Sequence, residues 1–108
     1  MNFSETNEFS KDFKRLSKKY RSLPDDLLEF KRIVSEVPTG SGKHFVVLHE
    51  NEEVKNLKAR FFCKYLRGAS LRITYAYIET STTIHFIELY FKGEQINEDR
   101  GRINDFLR

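Results

Sequence analysis

The spacing of apolar residues changes at Gly42, and that change limits the folds open to this chain. Before it, Phe9, Phe13, Leu16 and Tyr20 recur at intervals of four, three and four. That is the stripe of one helical face, with Lys11, Lys14, Arg15, Lys18 and Lys19 on the remainder. Thr6 or Asn7 is placed to cap this helix. "RSLPDD" interrupts and restarts the pattern. Pro24 suits a first helical turn, Asp25 and Asp26 favour its positive end, and Leu27, Phe30, Val34 and Val37 carry the stripe on. Pro38 and Gly40 stop it. After Gly42 the period becomes two. "HFVVLHE", Val54 to Tyr65, "LRITYAYIE" and "IHFIELYFK" read as successive antiparallel strands. Asn2 to Glu5 are read as a short leading strand. Gly93 ends the last strand, Asn97 is placed as a cap, and Ile103, Phe106 and Leu107 mark a short C-terminal helix. The expected architecture is α+β: a helical hairpin packed on an antiparallel sheet, as one domain spanning 1–108.

Parity along the strands sorts the side chains. Leu57, Ala59, Phe61 and Cys63 point one way, and Lys58, Arg60 and Lys64 the other. On the next strand Leu71, Ile73, Tyr75 and Tyr77 oppose Arg72, Thr74 and Ala76. On the last, Ile87, Leu89 and Phe91 oppose Phe86, Glu88, Tyr90 and Lys92. One open sheet face should therefore collect Lys58, Arg60, Arg72, Tyr90 and Lys92, with Glu88 as the obvious local counter-charge. Solvated sheet faces often carry Lys and Arg, but arginine on central strands asks for a further reason.

The bulk properties exclude several classes. A hydrophobic content of 39%, with ten Phe, supports one modest core. With 32% charged residues and a mean hydropathy of -0.59, a soluble surface is expected. No apolar run is long enough for a membrane span, and "MNFSETNEF" lacks the pattern of a secretory signal. The single cysteine, Cys63, has no internal partner and fits a reducing cytoplasm. A net charge of +3 admits a nucleic-acid partner. "PTGSGKH" is not a phosphate-binding P-loop. Val37 stands where the first glycine belongs, His44 follows the lysine, and the loop runs from helix to strand. His44, His49 and His85 lack metal-ligand spacing, so neither a metal nor a cofactor is expected. His85 and Cys63 read as packing residues.

A basic face with a tyrosine suits metal-free RNA cleavage by the neighbouring 2′-hydroxyl. That reaction needs a base, cations for the charged phosphorane and an acid for the leaving oxygen. Lys58 among Arg60 and Arg72 is a candidate base, with Glu88 as an alternative. Arg72 and Lys92 suit charge stabilisation, and Tyr90 suits orientation or proton donation.

The strings "FSKDFKRLSKKYRSLPDDL", "LKARF", "LRITYAY" and "IELYFKGEQINEDRGRI", in that order, resemble the RelE/ParE superfamily of toxins from toxin–antitoxin pairs. The resemblance covers Asn2 to Leu107. It implies a cytoplasmic toxin with a cognate antitoxin, acting as a metal-independent endoribonuclease on messenger RNA, commonly at the ribosome. It carries the site onto Lys58, Arg60, Arg72 and Lys92; Tyr90 joins them from the sheet face, and Lys55, Lys64 and Arg67 are expected as flanking RNA contacts. The chain departs from RelE in having no Tyr or His after Lys92; Arg100 and Arg102 occupy that region. ParE-like members inhibit DNA gyrase instead. That activity, or an inactive antitoxin-binding relic, remains the alternative.

Overall fold

A computed structural model describes residues 1–67 and 70–107. The elements run β1 (Asn2–Glu5), α1 (Asn7–Lys19), α2 (Leu23–Glu36), β2 (Phe45–Glu50), β3 (Val54–Phe62), a 3-10 turn (Lys64–Leu66), β4 (Ser70–Ile78), β5 (Thr83–Phe91) and α3 (Arg100–Leu107). Residues 68–69 and 108 lie outside the described residues.

The helical hairpin forms where the periodicity places it. Thr6 caps α1, its hydroxyl accepting the Phe9 amide at 3.1 Å. Phe9 and Leu16 are fully buried, and Val37, expected on the α2 stripe, lies just beyond the helix and is exposed. Asp26 does more than complement the helix dipole. It is buried, and its carboxylate accepts the Ser22 hydroxyl at 2.7 Å and the Lys64 amide at 3.3 Å, tying α2 to the 3-10 turn.

The sheet has the order β1-β5-β4-β3-β2. β1 pairs parallel with β5, so the sheet is mixed rather than wholly antiparallel. Phe9, Leu16, Leu23, Phe30 and Val34 of the hairpin pack on Leu57, Phe61, Ile73, Tyr75, Phe86 and Leu89.

Two features of β5 and its reverse face depart from the expected sheet. Tyr75 pairs with Phe86 but Thr74 pairs with Glu88, so Ile87 is an extra residue in β5. Such a bulge resets the alternation. Phe86 therefore joins the hairpin-side core with Leu89, while Ile87 turns to the reverse face, opposite to the strict-parity expectation. The second feature is α3, which packs on that reverse face through Ile103, Phe106 and Leu107 against Ala76 and Ile87. Its cap is Asp99 rather than Asn97: Asp99 Oδ1 accepts the amides of Gly101 at 2.9 Å and Arg102 at 3.3 Å. The face expected to be open is thus partly covered.

His85 lies under α3, its ring 5.2 Å from that of Phe106. Burial lowers its proton affinity, so the folded state takes up the proton less readily than the unfolded chain does. The unfolded chain binds more protons below the ordinary histidine value near 6.5, so stability falls as pH drops from there through the lower folded value. Amide exchange in α3 should be faster at pH 5.5 than at 7.5 after correction for intrinsic rates. His85→Gln should shrink that difference, and an unchanged difference would remove His85 as its source.

Candidate nucleic-acid interface

Backbone register builds the site as two cross-strand rows on the reverse face. Arg60 pairs with Arg72, and Arg72 with Tyr90. One pleat along, Lys58 pairs with Thr74, and Thr74 with Glu88. Two arginines directly opposed across a ladder repel each other. Among the described residues, no carboxylate forms an ion pair with either of them. Arg72 Nη1 donates instead to Ser70 Oγ at 2.8 Å and the Leu71 carbonyl at 3.3 Å, which aims the guanidinium along the strand end. Arg60 is exposed and Lys92, just past β5, is exposed too.

The neighbouring row is neutralised from the segment between β5 and α3. Lys58 Nζ lies 2.7 Å from Glu98 Oε1, with side chains 24% and 7% exposed respectively. Arg100 Nε takes the other Glu98 oxygen at 2.9 Å. Burial by itself would raise the Glu98 carboxyl. The Lys58 hydrogen bond, the residue's own backbone amide and the charges of Lys58 and Arg100 outweigh it and hold the carboxyl below its usual range. Lys58 thus faces Glu98, where Glu88 was the expected local counter-charge. Glu88 is buried and fully engaged: one oxygen accepts Gln95 Nε2 at 2.6 Å and the other the Asp99 amide at 2.8 Å. It anchors the 95–99 segment and is no accessible base. Burial is also the first reason it holds its proton more tightly than usual.

Tyr90 is 3% exposed. Burial, then the Glu98 and Glu88 charges, push its phenol up to about 12, with Arg72 pulling the other way. At neutral pH it is a hydrogen-bond donor.

The flanking cations divide. Lys64 and Arg67 sit exposed at the 3-10 turn beyond β3, Arg67 with a positive φ of 40°. Lys64 and Arg60 rim a cleft of about 320 Å³ walled by Phe30, Ile33, Phe45 and Phe62. Lys55 is not brought to the site. It shares parity with Leu57, on the hairpin side, and pairs with Glu50 at 3.3 Å. The sequence reading missed Glu98 and gave Arg100 no role beyond occupying the region after Lys92; the available signal was the imbalance of cations over carboxylates on the predicted face.

No group of His, Cys, Asp and Glu among the described residues is arranged to hold a metal ion, and no described helix is long and apolar enough to cross a membrane. No family model and no curated protein matches the chain. Among solved structures it is similar to a chain of the archaeal RelE–RelB complex from Pyrococcus horikoshii. The two are 18% identical, with a TM-score of 0.64, over 85% of this chain and 94% of that one. With its paired N-terminal helices, five-stranded sheet and short C-terminal helix, the chain has the RelE-like fold.

Proposed function

We propose that this chain is the toxin of a toxin–antitoxin pair and a metal-independent endoribonuclease that cleaves messenger RNA, acting at the ribosome in the cytoplasm. The observation that carries the reading is the Arg60–Arg72–Tyr90 row, in which two opposed guanidinium groups have no carboxylate partner among the described residues and Arg72 stands beside a protonated phenol. Such a row is costly to the fold and suited to a phosphate. In the reaction, the 2′-hydroxyl oxygen bonds to the adjacent phosphorus and the bond to the 5′ oxygen breaks. One proton leaves the attacking oxygen and one reaches the departing oxygen, giving a cyclic phosphate and a 5′-hydroxyl. Arg60 and Arg72 offset the charge of the phosphorane, Tyr90 donates a hydrogen bond, and Lys92, Lys64 and Arg67 hold flanking phosphates. The partnership of the similar structure with RelB supports an antitoxin for this chain.

Mapping transcript ends after brief induction in cells tests the reading. Discrete breaks within reading frames are expected. Intact messages accompanied by DNA-damage signals would overturn it in favour of gyrase inhibition.

A further inference from the structure

We infer that Glu98 is a positioning residue, whose carboxylate fixes the Lys58 ammonium beside the Arg60–Arg72–Tyr90 row so that Lys58 meets the RNA phosphate as a held cation and not as the base. The inference rests on the ribonuclease reading and assigns a part to a residue outside its cationic row.

Three observations carry it. Lysine is a point charge on a flexible stem, with substantial rotamer entropy to lose. A lone Lys58 would not hold one place on an open face. The Glu98 side chain is nearly inaccessible, and each of its oxygens meets one cation, Lys58 at 2.7 Å and Arg100 at 2.9 Å. The carboxylate is itself held, because the segment carrying it is pinned on both sides. Gln95 and the Asp99 amide both bind the buried Glu88 carboxylate. Glu88 in turn pairs through Thr74 with Lys58 in the ladder, so anchor and anchored residue belong to one row. This is the support a preorganised site needs.

The competing role for Glu98 is a plug filling the phosphate site. The placement argues otherwise. Its oxygens are spent on Lys58 and Arg100, while Arg60 and Arg72 have no carboxylate partner among the described residues. With the Lys58 side chain engaged by Glu98, the proton of the attacking 2′-hydroxyl passes to water.

Cleavage of a ribosome-bound message by purified variants tests the role, with thermal melts run alongside. Glu98→Gln should lower kcat by about tenfold to a hundredfold while KM changes little, and Glu98→Asp should recover part of the loss. Lys58→Met should lose at least as much, and Lys58→Arg should keep most of the activity. Adding Glu98→Gln to Lys58→Met should cost nothing more. Faster cleavage by Glu98→Gln would make Glu98 a plug and overturn the inference. So would additive losses in the double variant, a Lys58→Arg as inactive as Lys58→Met, or a lowered melting temperature with unchanged kcat. Absence of cleavage by the wild-type protein would overturn the ribonuclease reading itself, and this role with it.

Discussion

Arg72→Ala is expected to cut RNA cleavage, and with it toxicity, by about 100- to 1,000-fold, the loss of about 2.7–4 kcal/mol typical when a preorganised donor to a transition-state charge is removed. Lys18→Ala, on the exposed side of α1, should leave toxicity nearly unchanged. Arg72 carries this weight because its position is fixed from two directions. Tyr90 stands opposite it in β5, and its own Nη1 is tied to Ser70 and Leu71. The alternative cause of lost toxicity is a damaged fold, and here the signs separate. Truncating Arg72 forfeits two hydrogen bonds, at about 1 kcal/mol each or less on a partly exposed side chain, but relieves its repulsion with Arg60. The folded protein should therefore melt within a few degrees of the wild type. Growth curves at matched expression, with melting temperatures of both purified variants, check this. Equal toxicity of the two would take Arg72 out of the site.

How much of this was readable in advance depended on how local the signal was. The hairpin was legible because Phe9, Leu16, Leu27 and Phe30 repeat at helical spacing within a few turns, and each is buried. The rows of cations were legible because β3 and β4 pair without interruption from Val54↔Ile78 to Phe62↔Ser70, so parity holds along both. β5 was different. Ile84, Phe86, Ile87 and Leu89 are all apolar, so either phase of alternation fits the composition and the bulge leaves no mark in the sequence. The parallel pairing of β1 depends on four residues meeting a strand some eighty positions away. No local pattern encodes that. Glu98 escaped for the same reason: its role exists only once the chain turns back over the reverse face after Lys92. Lys55 is the opposite case. Its parity with Leu57 was in plain view, and attention to charge alone placed it with the RNA contacts.

Asp12→Ala should destabilise the fold more than any change at the candidate site. Beyond Glu5, β1 ends and leaves the edge of β5 open, and α1 closes it. Thr6 donates its amide to the Phe86 carbonyl at 3.0 Å and its hydroxyl to the Ile87 carbonyl at 3.2 Å, and Asp12 accepts the Leu89 amide at 3.2 Å. The same Asp12 carboxylate receives both ends of the Arg102 guanidinium, at 2.6 and 3.2 Å, with side chains only 11% and 27% exposed for Asp12 and Arg102. One carboxylate therefore joins α1, β5 and α3. Its removal strands a buried amide and leaves Arg102 without its fork partner, and breaking such a buried pair costs about 3–5 kcal/mol. In a domain of this size that corresponds to a fall in melting temperature of at least about 10 °C. Arg102→Ala should cost less, because Asp12 keeps its bond to Leu89 and only α3 loses its latch. Amide exchange should then rise in α3 far more than in α1. The double variant should be no worse than the sum of the two single changes and closer to Asp12→Ala alone, since both break one bidentate contact. Thermal melts of the three proteins decide the point. A fall of a degree or two for Asp12→Ala would mean that water replaces the carboxylate at the β5 edge, and that α3 is held by Ile103 and its apolar neighbours instead.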